Sequence, residues 1–148
     1  MNIFKVEEYF NSQEQMEELL KFLQEEYFDK IDYHAGLLRG GALSDSVQLT
    51  SSLEELTGIY MELHPIFTIA ETIKKNREEG AYMAKKIEIE NKGEKFVSAS
   101  ADKEASNSVA NERRVRNIIE GKVSACSQGI STCQSKMKFV GKEIELAK

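Results

Sequence analysis

At 148 residues the chain has the length of one ordinary domain, and its make-up, 41% apolar and 30% charged with one Pro and no Trp, is that of helical proteins. No apolar run approaches the ~20 residues that cross a bilayer, and the N-terminus has no basic region followed by an apolar stretch, so the expectation is a cytoplasmic protein with no membrane partner. The net charge of −5 hides a gradient: residues 1–32 hold nine acids against three bases, and residues 103–148 hold nine bases against five acids. Such a split is either two solvated helix faces or a device for head-to-tail pairing or for meeting an anion.

The first helix is predicted over 12–38. Ser12 and Gln15 have capping-box spacing, and Met16, Leu20, Leu23, Tyr27 and Ile31 then step by four and three, with Leu19, Phe22 and Phe28 widening the stripe. Gly36 and Gly40-Gly41 end it. The Ser-rich stretch 40–51 reads as a linker.

A second long helix is predicted over 52–96, started by Ser51 with Glu54 or Ser52 with Glu55. Ile59, Leu63, Ile66, Ala70 and Ile73 line one face. Pro65 lacks an N–H and crowds the carbonyl four residues back, which predicts a kink or short break near His64. Beyond it the stripe passes through Arg77, Gly80, Ala84 and Ile87, where small residues leave room for another backbone.

Asp102 is the expected N-cap of a third helix, 102–147, after a turn at 98–101. Ile119, Val123, Cys126, Ile130, Cys133, Met137, Val140 and Ile144 alternate steps of four and three, a heptad seam suited to a subunit or intramolecular interface. Upstream the register runs through Arg116 and Glu112 to Val109 and Ala105, so that half is expected to face solvent or a partner unless the two charges are paired. The chain is therefore read as one all-α domain, 1–148, of three long helices. The second is kinked at Pro65 and pairs with the third as an antiparallel hairpin or coiled coil.

Catalytic, cofactor and metal sites are expected to be none. His34 and His64 stand apart from any ligand cluster, and no phosphate loop, nucleophile elbow or zinc-type Cys spacing occurs. Cys126 and Cys133 lie about 10 Å apart along one helix, too far for a disulfide. They read either as small buried side chains or as pairs facing their copies across a symmetric coil. Arg113, Arg114, Arg116 and Lys122 form a basic cluster that is either a solvated face or a contact for an anion or a partner, although no aromatic residue is interleaved to stack on bases.

Lys85-Lys86, the turn Ser100-Ala101-Asp102-Lys103, and Cys126-Ser127 with Gly129 following resemble the small phage-encoded recombination mediators of the UvsY type. The likeness covers about sixty residues of the C-terminal half. It implies a helical protein that assembles into rings, binds single-stranded DNA and helps to load a recombinase, and a host cytoplasm as its location. The acidic first helix and the negative net charge depart from that pattern. Two functions remain open. One is a non-enzymatic oligomeric accessory or assembly protein, with single-stranded DNA recombination as its sharpest form. The other is a small phage-type inhibitor or adaptor that binds a host protein complex.

Overall fold

The computed structural model describes residues 3–148, and every regular element among them is helical. A 3-10 helix, Ile3–Phe10, is followed by α1 (Gln13–Leu23), a π-helical segment (Gln24–Phe28), α2 (Asp29–Arg39), α3 (Ser46–Asn91), α4 (Ser98–Ser108) and α5 (Ala110–Leu146). The all-α class is as the sequence predicts. Each expected helix, however, has different bounds.

Ser12 caps α1, accepting the Gln15 N–H at 3.1 Å, and its hydroxyl donates to Gln15 Oε1 at 3.3 Å. The expected helix 12–38 is interrupted by the π-helical segment, and the reason lies in its apolar spacing. Leu19, Leu23, Phe28, Ile31 and His34 are buried, and the five-residue step from Leu23 to Phe28 overshoots an α-turn. One wider turn restores Phe28 to the buried face. At the end of α2, Gly41 takes φ +68° and the Ala42 N–H bonds back to Leu37 O at 3.0 Å, the 6→1 bond of a Schellman stop.

The expected linker 40–51 is shorter in the structure, because α3 starts at Ser46 and Asp45, not Ser51 or Ser52, caps it through the Gln48 N–H at 2.8 Å. The helix then runs on through Pro65 without a break. Pro65 and Met61 are both exposed, so the turn in which the Met61 carbonyl loses its donor lies on the exposed face of the helix. The helix stops at Asn91 rather than residue 96, where Gly93 at φ +70° and a Glu94 N–H to Ile89 O bond of 3.2 Å form a second Schellman stop.

The expected third helix is two helices. Residues 98–101, read as a turn, are the first turn of α4, and Asp102 lies inside it. The break falls at Val109, with φ −110° and ψ 26°. Arg113 stabilises it by donating to the Ser106 carbonyl at 2.8 Å and to Ser106 Oγ at 2.6 Å, a cation at a helix C-terminus.

The chain divides into two compact units. One joins the N-terminal residues to Leu19 with Ile66–Ile118, and the other joins Leu20–Pro65 with Ile119–Lys148. In the first unit Val6, Phe10, Met16, Ala70, Ala101, Ala105, Val109 and Val115 are buried. Its ion pairs set Lys85 against Glu104, Glu78 against Arg113 and Glu71 against Arg116, so partners rise in number on α3 as they fall on α5 and α4. Tyr82 and Phe96 meet edge to face at 5.9 Å, with Lys86 over the Phe96 ring.

In the second unit Leu49, Ser52, Leu56, Ile59 and Leu63 form the buried stripe of α3. Leu23, Phe28, Ile31, Leu43, Val123, Cys126 and Cys133 are buried with them. A Cβ placed on Gly129 would lie 3.0 Å from Leu56 Cδ1, so here the missing side chain permits a close approach.

Candidate functional site

The basic cluster folds into local pairings. In the first unit Arg113 holds Ser106 and approaches Glu78 Oε1 at 3.7 Å, Arg114 pairs with Glu17, and Arg116 pairs with Glu71 while stacking over Phe67. In the second, Lys122 Nζ lies 2.7 Å from Asp32 Oδ1 and above the Phe28 ring. Each of the four cations thus has a carboxylate partner, and two of those acids, Glu17 and Asp32, come from the acidic N-terminal segment. A phosphate would have to displace carboxylates already in place.

The charges that interrupt the heptad register also have partners. Glu112 is only 8% exposed, and its Oε1 accepts from Arg77 Nη1 at 2.8 Å; the same Nη1 donates to the Phe10 carbonyl at 2.6 Å. With Ala105, Val109 and Val115 also buried, the face of 105–116 that continues the register is covered within the first unit, while Asn107, Ser108, Ala110, Asn111 and Arg114 are exposed. The two charges in the register, Glu112 and Arg116, are thus paired within the first unit, the one condition under which that face is not expected to turn outward.

Cover along the seam falls in the opposite direction. Ile119, Val123, Cys126 and Cys133 are buried, Ile130, Met137 and Val140 are half-buried, and Ile144 is 53% exposed. Phe139 and Leu146, off the seam, are 65% and 88% exposed. The last three turns of α5 therefore carry large apolar side chains with little of their own chain over them. An open groove of about 470 Å³ beside them is lined by Leu43, Leu49, Lys136, Phe139, Val140 and Glu143.

Both cysteines are enclosed within one chain. The Cys126 thiol donates to Leu56 O at 3.1 Å, and burial pushes it up to about 11, only partly offset by a backbone amide at Tyr60. Burial likewise raises Cys133, against a smaller opposing effect of Lys136. Neither thiol faces outward to meet a copy of itself, and neither is disposed to ionise as a nucleophile or ligand.

One polar constellation escaped sequence reasoning. Buried His34 on α2 has Nδ1 3.1 Å from Ser52 Oγ and Nε2 2.8 Å from Glu55 Oε2, both on α3. The three residue types are those of a hydrolytic triad, but Ser52 is 3% exposed inside a helix, where no substrate carbonyl can reach its hydroxyl. Its role is to satisfy a buried imidazole. His34 follows Ile31 at helical spacing, which is the one signal the sequence offered. Among the described residues no group of three or more His, Cys, Asp or Glu side chains is arranged to hold a metal ion.

In the first unit a second open groove, of about 680 Å³, runs between α3 and α4 past Tyr82, Met83 and Ala105. No helix of the described residues is long and apolar enough to cross a membrane. The fold and these surfaces define an all-α protein whose exposed features are helix faces and grooves. No family model, curated protein or solved structure matches the chain.

Proposed function

We propose that the chain is a non-enzymatic helical accessory protein that works by binding other protein chains, its own copies among them. The observation that carries this is the loss of cover along α5, from fully buried Cys133 to Ile144, Phe139 and Leu146 in solvent. Apolar side chains clustered on one helix end are the usual mark of a protein contact. In this reading α3 pairs with the α4–α5 run as an antiparallel hairpin with coiled-coil packing. Within the first unit the reversed ion-pair order supports it, and within the second the approach of Cys126 and Gly129 to Leu56 does.

Action on single-stranded DNA recombination, the sharper form implied by the UvsY-type likeness, draws on the basic surplus of the C-terminal third. It has to contend with the carboxylates already on Arg113, Arg114, Arg116 and Lys122. Binding to a different protein as an inhibitor or adaptor uses the same exposed faces.

The test is the mass of the native particle by light scattering over a concentration series, alongside anisotropy of labelled single-stranded DNA over a salt series. A particle heavier than the 16.8 kDa chain is expected. A single-chain mass at every concentration overturns self-association, and DNA binding that falls steeply with salt would move the function to nucleic acid.

A further inference from the structure

We infer that the groove between α3 and α4 of the first unit receives the C-terminal end of α5 from a second copy of the chain. The inference rests on the self-association proposed above and names the two surfaces that make it.

The groove has an apolar floor of Tyr82, Met83 and Ala105, and Met83 is half exposed. Lys75, Glu79 and Asp102 stand at its edges. Among the described residues neither the Glu79 nor the Asp102 side chain takes part in an ion pair or hydrogen bond, whereas that of Glu78 is held by Lys74 and Arg113. The groove thus offers apolar surface edged by two uncommitted carboxylates against one uncommitted cation, Lys75.

The end of α5 offers the complement. Phe139, Lys142 and Leu146 follow at i, i+3 and i+7, so they share one helix face, with Lys138 beside them. Both apolar members of that face are more than half exposed, and both lysines are exposed. An amphipathic helix that lays apolar anchors into a groove and cations against its acidic rim is a recurrent mode of recognition. The seam residues Met137, Val140 and Ile144 lie on the opposite side of α5 and are left to the helix's own unit. The contact then brings Lys138 and Lys142 of one copy to Glu79 and Asp102 of another.

Because the two surfaces differ, every copy offers one of each, and the contact is heterologous, so it can repeat from copy to copy. The test uses the full chain and two variants whose changes all fall on exposed positions, Glu79→Lys with Asp102→Lys in the groove and Lys138→Glu with Lys142→Glu on the helix. Circular dichroism checks that both keep their helix content. By sedimentation velocity the native chain should form particles larger than two copies, and each variant alone should associate at least about tenfold more weakly. Mixed one to one, the variants should regain particles larger than two copies, since the carboxylate groove of one takes the lysine-bearing helix of the other and the lysine groove takes the glutamate-bearing helix. A chain carrying all four changes should regain assembly. Assembly that persists undiminished in both variants overturns this contact while leaving self-association standing, as a pairing through Ile144 would do. A native chain that stays single overturns both.

Discussion

The Nη1 of Arg77 bridges Glu112 Oε1 at 2.8 Å and the Phe10 carbonyl at 2.6 Å, so one guanidinium ties α5, α3 and the end of the 3-10 helix together inside the first unit. The two partners are unequally placed, since the Arg77 side chain is 39% exposed and that of Glu112 only 11%. Arg77→Met should therefore be the more damaging single change, leaving a nearly buried carboxylate without a counter-ion. A loss of about 2 kcal/mol is expected, below the 3–5 kcal/mol of a fully buried pair because water reaches the arginine. Glu112→Gln keeps an acceptor for Arg77 and should lose about 1 kcal/mol. Arg77→Met with Glu112→Leu should recover most of the loss in urea unfolding. Additive effects in that cycle would show that the pair is not coupled.

His34 sets a second expectation, in the other unit. Both ring nitrogens are engaged, and Ser52 is the partner that water cannot replace. Ser52→Ala should destabilise by about 1–2 kcal/mol despite the better helix propensity of Ala, because it strands Nδ1. Glu55 is nearly half exposed, and Glu55→Gln, which still bonds Nε2, should change stability by less than about 1 kcal/mol. Equal effects of the two substitutions in chemical denaturation would contradict the assignment of His34 as a buried group held by Ser52.

Alkali should destabilise the fold by way of Cys126 and Tyr27. The folded thiol is raised from 9.0 to about 11 by burial, and the Tyr27 phenol from 10.0 to about 12, first by burial and then by its hydrogen bond to Glu62 and that carboxylate's charge. Below the ordinary values both groups hold their protons in folded and unfolded chains alike, and the full stabilisation is present. Above them the unfolded chain releases protons that the folded chain retains, so stability falls as pH rises from about 9 through the folded values. Cys126→Ala should flatten the first part of that decline in urea midpoints measured from neutral pH upward. A midpoint that held constant past the ordinary thiol value would show that the thiol is not buried in solution.

Local signals made much of this fold readable. The Ser12 cap, the α3 stripe from Ile59 to Ala70 and the α5 seam as far as Cys133 all follow from spacing, because caps and apolar periods act within a few residues. The π-helical turn was hidden, since a five-residue step at Phe28 looks like scatter in a wide stripe. The start of α3 lies six residues ahead of the one expected at residue 52, because Asp45 with Gln48 is the same kind of signal as Ser51 with Glu54 and two Ser–Glu pairs compete with it. The partners of Glu112 and Arg116 could not be read at all. Arg77 and Glu71 lie 35 and 45 residues away, and only tertiary contact joins them.

Glycines inside the helices provide the last expectation, because the sequence treats them alike and the structure does not. A Cβ at Gly80 meets nothing within 4 Å, so the room for another backbone is unused by the described chain. Gly80→Ala should then stabilise by about 0.8–1.0 kcal/mol, the difference in helix propensity. At Gly129 the same Cβ would sit 3.0 Å from Leu56 Cδ1 and 4.0 Å from Leu38 Cδ1. Leu56 is almost fully buried and has little space to turn away, so Gly129→Ala should gain nothing from its better propensity, and Gly129→Val should lose about 1–3 kcal/mol by overpacking. Thermal and urea unfolding of the three variants would decide it. A stabilised Gly129→Val would mean that α5 does not approach Leu56 as closely as the structure shows, and a destabilised Gly80→Ala would mean that a second chain already occupies the space beside α3.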